Sequence, residues 1–503
     1  MKKRILQRNF IALAVAMALF SCSDDFLEVK PSGTYLEDNY YKDEAQAYTG
    51  LIAAYDVVRK QSGGFENMIS MLNAGSDDFY AGGGSSTDGA GIQSFSNYTI
   101  TPTLIPQSYW SDYYQGVFRA NVMLAKLPNV PMDEAVKARF AAESKALRAY
   151  YYFQLVTMFG DIPFYTTNLT ADQFYTIQKS PAADVYAQIE KDLLEAIPVL
   201  PPTLNLSTEA GRLNKGAAQA ILGKVYLFQH KNTEAAAQFA EVNGTPGETN
   251  QYGNKLLTNF ADLWVIDNKY NTESIFECAH TNKSNADWSF WGSGYDEGNS
   301  LNVMVGPRGY SASNSNAPNY RTGWSFNPAT LDLISTLSGD PRMDATLANI
   351  GGLAAAGDAA YSPGYQDSGY FLKKFMPRTT DVTDGGGAAD LNFRQNTYII
   401  RLADTYLMEA EALGGTGARA QALLNAVRAR VGLPSVPVTL DAVYLERRKE
   451  LAGEGHRWHD LIRSGQAANK LASRGFIAGK HEHWPIPLKE TENTSVTQNP
   501  VYN

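Results

Sequence analysis

The sequence predicts a mostly α fold, a scaffold of tetratricopeptide-like helical pairs that carries an irregular, partly β, variable region. Three observations point there. Apolar residues recur at helical spacing in stretches of about a dozen residues or more, joined by short turns. Residues 61–106 and 242–390 lose that period and are rich in Gly, Asn, Ser and aromatic residues. At 503 residues the chain exceeds what one compact core usually spans, which favours several domains or an extended stack.

Taken in order, residues 1–21 read as a secretion signal: Lys2, Lys3 and Arg4 precede a short apolar run from Phe10 to Phe20. The run is shorter than the roughly 17 to 25 residues a spanning helix needs. It ends at Leu19-Phe20-Ser21-Cys22, a lipobox-like junction at which Cys22 would be acylated. Residues 22–40 then form a polar tether, interrupted by Pro31 and Gly33.

The scaffold is expected over residues 41–241, with the loop excursion 61–106 inside it. Ala47, Leu51, Ala54, Tyr55 and Val58 space a first helix over Asp43–Lys60. Helix returns at residues 109–121 and again from Met132 to Phe159, where Ala142, Ala146 and Ala149 leave room for a neighbour. Two more are expected at Ala182–Ala196 and Lys215–His230. Residues 242–390 form the variable mixed region, with a short helix near Pro328–Leu337. Residues 391–503 complete the scaffold with helices at Tyr398–Leu413, Ala418–Val431, Leu440–Gly453 and Trp458–Ser464.

Composition narrows the function. A net charge of −9 argues against nucleic acid as a partner, because phosphate binding needs a positive field. If Cys22 is acylated, Cys278 is alone and no disulfide framework exists; its alternating stretch Ser274–Ala279 suits a strand with a buried thiol. Phosphate loop, dinucleotide fingerprint, serine elbow and His-Glu-x-x-His are all missing from the sequence. No catalytic residue, metal or cofactor is therefore predicted.

Two charged constellations invite chemistry. Glu446–Arg463 is the densest charged stretch, and its spacing suits a charged lattice locking two helices across the Gly453-Glu454-Gly455 turn. His456, His459, His481 and His483 could hold zinc only if the two pairs meet, which would open a metal-dependent surface hydrolase as an alternative.

The aromatics of the variable region are the better binding candidates. A sugar ring presents apolar C–H faces bordered by hydroxyls, so an aromatic platform with polar neighbours recognises it. Trp288, Trp291, Tyr295 and Trp324, with Asn299, Asn302 and Arg308, offer that chemistry. The loop around Asp77, Asp78 and Tyr80 is a second candidate.

Four ordered anchors resemble the SusD/RagB-type outer-membrane lipoproteins of Bacteroidetes. They are the lipobox with Ser23-Asp24-Asp25-Phe26-Leu27-Glu28; Tyr109–Asn121 continued by Glu143–Phe153 and Phe159-Gly160-Asp161-Ile162-Pro163; Arg401–Leu407 with Asn425–Arg430 and Glu446–Arg463; and Trp484-Pro485-Ile486-Pro487 with Gln498–Tyr502. One departure is Val501, where the family ending usually has glycine.

The resemblance implies four tetratricopeptide-like pairs, a cell-surface location on the outer membrane through a lipidated Cys22, and capture of a glycan without bond cleavage. It also implies a SusC-like TonB-dependent transporter as partner, with peptide capture as the alternative known in RagB-like branches. These anchors are scaffold motifs, so they transfer no ligand residue; under the resemblance His456 and Trp458 belong to the structural signature.

Overall fold

Apolar stripes on successive helices have to be covered, and in the computed structural model they are covered mainly by the neighbours in the stack. The structure describes residues 40–289, 297–382 and 386–503. The signal segment, Cys22 and the tether up to residue 39, together with Trp291 and Tyr295, lie outside the described residues.

Among the described residues nine helices reach eleven residues or more: α1 Glu44–Asp56, α2 Ser108–Lys126, α3 Glu134–Phe159, α4 Ala182–Ala196, α5 Lys215–Phe228, α6 Asn232–Asn243, α7 Leu402–Ala412, α8 Gly417–Arg430 and α9 Leu440–Glu450. From α1 to α8 each packs on the next, and α9 packs on α7. The contact between α6 and α7 closes over the whole intervening region, so the chain leaves the stack after Asn243 and rejoins it at Leu402.

Local chemistry sets the helix ends. The Asp43 side chain accepts from Gln46 N–H, Asp133 from Ala135 and Val136 N–H, and Asn214 from Ala217 N–H. α3 stops at Gly160, whose φ of +73° favours glycine. Gly116 on α2 admits α3 closely, since a Cβ there would lie 2.5 Å from the Tyr151 ring.

Three sequence expectations need correction. The excursion 61–106 holds two helices, Met68–Gly75 and Ala90–Ser96. All eight residues of the first are buried, so it shows no polar stripe to read. The helix α6 escapes a reading by periodicity because its alanines mark no face. The helix expected from Tyr398 begins at Leu402, because Thr397–Arg401 is a strand paired antiparallel with Ser274–Cys278.

That ladder carries Cys278 inward, where the thiol is 1% exposed and burial pushes it up to about 12. The remaining ladders are short: Ile162–Pro163 with Lys179–Ser180, Ser311–Ala312 with Ala359–Ala360, and Leu347–Asn349 with Tyr370–Leu372. Most large aromatics are scaffold core, and Tyr109, Tyr113, Tyr151, Tyr152 and Tyr406 are among the largest fully buried side chains.

The carboxyl end acts as a clasp on α3. Trp484 N–H donates to Met158 O at 2.6 Å, and the Asn499 amide donates to Phe159 O and Trp484 O at 3.0 Å each.

Candidate functional site

The charged stretch at Glu446–Arg463 is sealed. Arg401 pairs with Glu273 at 2.8 Å, Glu450 at 2.6 Å and Glu454 at 2.8 Å. Arg342 reaches Glu446 at 2.7 Å and Glu450 at 2.9 Å, and Lys374 reaches Glu454 at 2.7 Å. All of these side chains are 2% exposed or less. Burial opposes the charge on Glu450, yet Arg430, Arg401 and Arg342 together hold its carboxyl well below the usual carboxylate range. The lattice thus fastens the irregular region, through Arg342 and Lys374, to α8 and α9.

The early candidates Asp77, Asp78 and Tyr80 belong to the same frame. Arg457 grips Asp77 through two bonds of 2.8 Å, Arg448 bonds Asp78 at 2.6 Å, and the Arg474 guanidinium lies 5.3 Å from the Tyr80 ring centre. Asn299 and Asn302 are fully buried, with both amides donating to Gln395 at 2.8 Å. Asp77, Asp78, Asn299 and Asn302 are thereby corrected from ligand contacts to fastenings, because their side chains are buried or nearly so and bonded to the protein. The four carboxyl-end histidines do not converge: His459 packs on Phe228 and Trp458, whereas His481 packs on Tyr98 and Phe476. Among the described residues no group of three or more His, Cys, Asp or Glu could hold a metal.

The open chemistry lies elsewhere, where the two irregular blocks meet. Gly83 N–H donates to Ser325 O at 2.8 Å, Asn327 N–H to Ala81 O at 3.0 Å and Tyr365 N–H to Gly83 O at 2.8 Å. Gly82 makes the approach possible: its φ is +72°, and a Cβ there would fall 2.3 Å from Ser325 O. Ser325 and Asn327 take φ of +59° and +51°, an uncommon conformation that turns the chain sharply on either side of Phe326.

Four aromatic rings form a run at this junction. Trp288 is 55% exposed, and its ring centre lies 5.9 Å from that of half-buried Trp324 at an interplanar angle of 35°. Trp324 in turn lies 6.2 Å from Phe65, which abuts Phe326 edge-on at 5.2 Å. Arg308 borders the run: its Nε donates to Trp324 O at 3.0 Å and its Nη2 to Asp88 Oδ2 at 2.6 Å. Gly84 N–H also donates to Asp88 Oδ2, at 2.7 Å. The loop bearing Trp288 is tied at its root by Thr281 N–H to Glu297 O and by Ala388 N–H to Ala286 O.

Of the candidates that the sequence singles out, Trp288, Trp324 and Arg308 therefore share one surface. Phe65 and Asp88 join them, over buried Phe326, without having stood out in the sequence. Phe65 and Asp88 sit in glycine-rich turns, Gly63-Gly64-Phe65 and Asp88-Gly89, and nothing in the sequence says which distant segment those turns face.

Comparison with known proteins bears on this arrangement. Residues 234–502 match the model of the SusD family, and residues 25–227 match a model described as starch-binding and associating with the outer membrane. The chain belongs to the SusD family. It is 61% identical to a laminarin-binding SusD-like protein of solved structure, with a TM-score of 0.90 over 92% of this chain and 100% of that one. Surface glycan-binding protein A from Bacteroides thetaiotaomicron, solved with laminarihexaose, is 25% identical, with a TM-score of 0.81 over 91% of this chain and 99% of that one. The starch-binding protein SusD of the same organism is 25% identical across 74% of each chain. No helix among the described residues is long and apolar enough to cross a membrane.

Proposed function

We propose that this SusD-family chain is a binding protein that captures a neutral glucan of the laminarin kind on the Trp288–Trp324 surface and passes it to a SusC-like TonB-dependent transporter. The observation that carries the reading is the pair of tryptophan rings 5.9 Å apart, one of them more than half exposed, beside the Asp88–Arg308 pair. Two neighbouring rings suit successive sugar units, each stacking a C–H face while its hydroxyls reach the polar border. Asp88 offsets the charge of Arg308, so the surface selects for hydroxyls rather than for acidic sugars. The 61% identity to a protein named for laminarin binding supports the choice of ligand.

Acylation of Cys22 with two or more chains would hold the body at the outer membrane, where a single chain anchors only marginally. The tether then keeps captured glycan at raised effective concentration beside the transporter. Affinity per site is weak, because each sugar ring buries little apolar surface and its hydroxyls exchange water for protein.

The test is calorimetric titration of the mature chain with laminarin, starch, an acidic polysaccharide and a peptide digest. Saturable binding of laminarin, weakened about tenfold in Trp288→Ala and in Trp324→Ala, is the expected result. Peptide binding without glycan binding would move the protein to the peptide-capturing branch and overturn the reading.

A further inference from the structure

A second cleft lies between α1, the segment 203–214 and the strand Ser274–Cys278, and reaches Thr281 and Glu297 at the root of the loop bearing Trp288. It consists of two cavities of about 330 and 290 Å³, near the ~300 Å³ lower bound of small-molecule sites. Both are lined by Gly211, Arg212 and Glu277, so they abut. Neither is lined by Trp288, Trp324 or Arg308.

Glu277 sets the chemistry. Its side chain is 3% exposed, accepts from Tyr270 N–H and from the Asn396 amide at 2.8 Å each, and has no ion-pair partner among the described residues. The Ser274 side chain bonds it as well, and since a carboxylate offers about four acceptor positions, roughly one remains for a ligand. Burial raises its pKa, and the charge of nearby Lys269 offsets this only in part. Arg212, the cation shared by the two cavities, is already held by Glu143, through Nε at 3.0 Å and through Nη2. Its charge is therefore not on offer to an anion.

Tyr270 lines the second cavity. Its backbone sits at φ +52°, a conformation costly for a residue with a bulky side chain. That turn aims its N–H at Glu277 and brings its hydroxyl to 3.5 Å from where a Gly211 Cβ would stand.

We infer that this cleft is a second saccharide site, taking an end or branch of a neutral oligosaccharide, with Glu277 accepting a ring hydroxyl and Tyr270 and Tyr252 supplying the aromatic wall. An acyl chain would bury the carboxylate with nothing in return, and a uronate or sulfate would be repelled by it. Hydroxyl donors satisfy it. The inference rests on the glycan reading above and adds a second point of attachment, which raises avidity for a long or branched chain without strengthening either site.

Titration of the mature chain with laminaritriose, too short to be held as a polymer, tests it. The expected result is two saturable events. The Trp288→Ala/Trp324→Ala double variant removes one. Glu277→Gln, and independently Ala210→Trp, an exposed rim residue whose bulk would fill the first cavity, each weaken the other event tenfold or more. A single event, abolished by the tryptophan variant and untouched by Glu277→Gln and Ala210→Trp, overturns the second site and leaves the proposed function standing. No event in any variant removes both.

Discussion

The charged stretch around Glu450 and the glycine-rich segment around Trp324 are both chemically loaded in sequence, and they have opposite fates. In the first, most charges are matched inside the protein and sealed from solvent, with Glu450 in contact with Arg342, Arg401 and Arg430. In the second, the conspicuous side chains stand partly in solvent on a backbone held by hydrogen bonds from a distant loop. Density of charge marks the frame, and loss of periodicity marks the surface proposed to bind glycan. The reason is energetic: a buried ion must be paired and hydrogen-bonded to be tolerated, so a dense charge cluster inside a fold is usually saturated.

Four experiments sharpen or break this contrast. The largest effect is expected from Glu450→Ala, which takes from three buried guanidinium groups the carboxylate they share. It should destabilise the fold by about 3–5 kcal/mol in chemical denaturation, while the folded fraction still binds glycan. A loss under about 1 kcal/mol would mean the lattice is not structural.

Acid should separate the regions next. Burial pushes His280 and His456 down to about 4, so the unfolded chain takes up protons below their ordinary 6.5 while the folded chain does not. Stability is therefore lost as pH falls from about 6.5 towards 4. Glu450 and Glu454, held below their ordinary 4.5, add a contribution that is complete above that value and is lost as pH falls through their folded values. Thermal unfolding followed from about pH 8 to pH 4 should show a falling midpoint, with glycan affinity level wherever the protein stays folded.

Trp324→Ala should lower glycan affinity about tenfold, equivalent to about 1.4 kcal/mol, without an equal loss of stability. An unchanged dissociation constant would remove this ring from the site. The smallest effect belongs to Asp88→Asn: the pair it forms with Arg308 is about one-third exposed on both sides, so stability should shift by less than about 1 kcal/mol. Uncompensated Arg308 should then admit acidic oligosaccharides, a gain readable in the same titration.

Much of the frame is legible in the sequence. The bounds of α4 follow directly from the Ala182–Ala196 pattern after Pro181, and the ends of α3 are announced by Asp133 and Gly160. Alternation in Ser274–Cys278 marks a buried strand, although its partner Thr397–Arg401 runs on into α7 with no break that the sequence shows. Of the candidate binding residues, Trp288, Trp324 and Arg308 come together, whereas Asn299, Asn302, Asp77 and Asp78 turn inward. Side-chain chemistry cannot separate these groups, because an asparagine that binds sugar and one that holds a loop are the same residue.

By itself the sequence determined the helical scaffold, the family signature and the segments free of regular structure, since periodicity, caps and turn residues act over a few positions. Only the tertiary structure decided which irregular segments meet. Gly82 lies against Ser325, and Phe65 against Trp324, across more than 200 residues. Such contacts depend on close backbone approach and on burial of specific donors, and no local pattern encodes the distant partner.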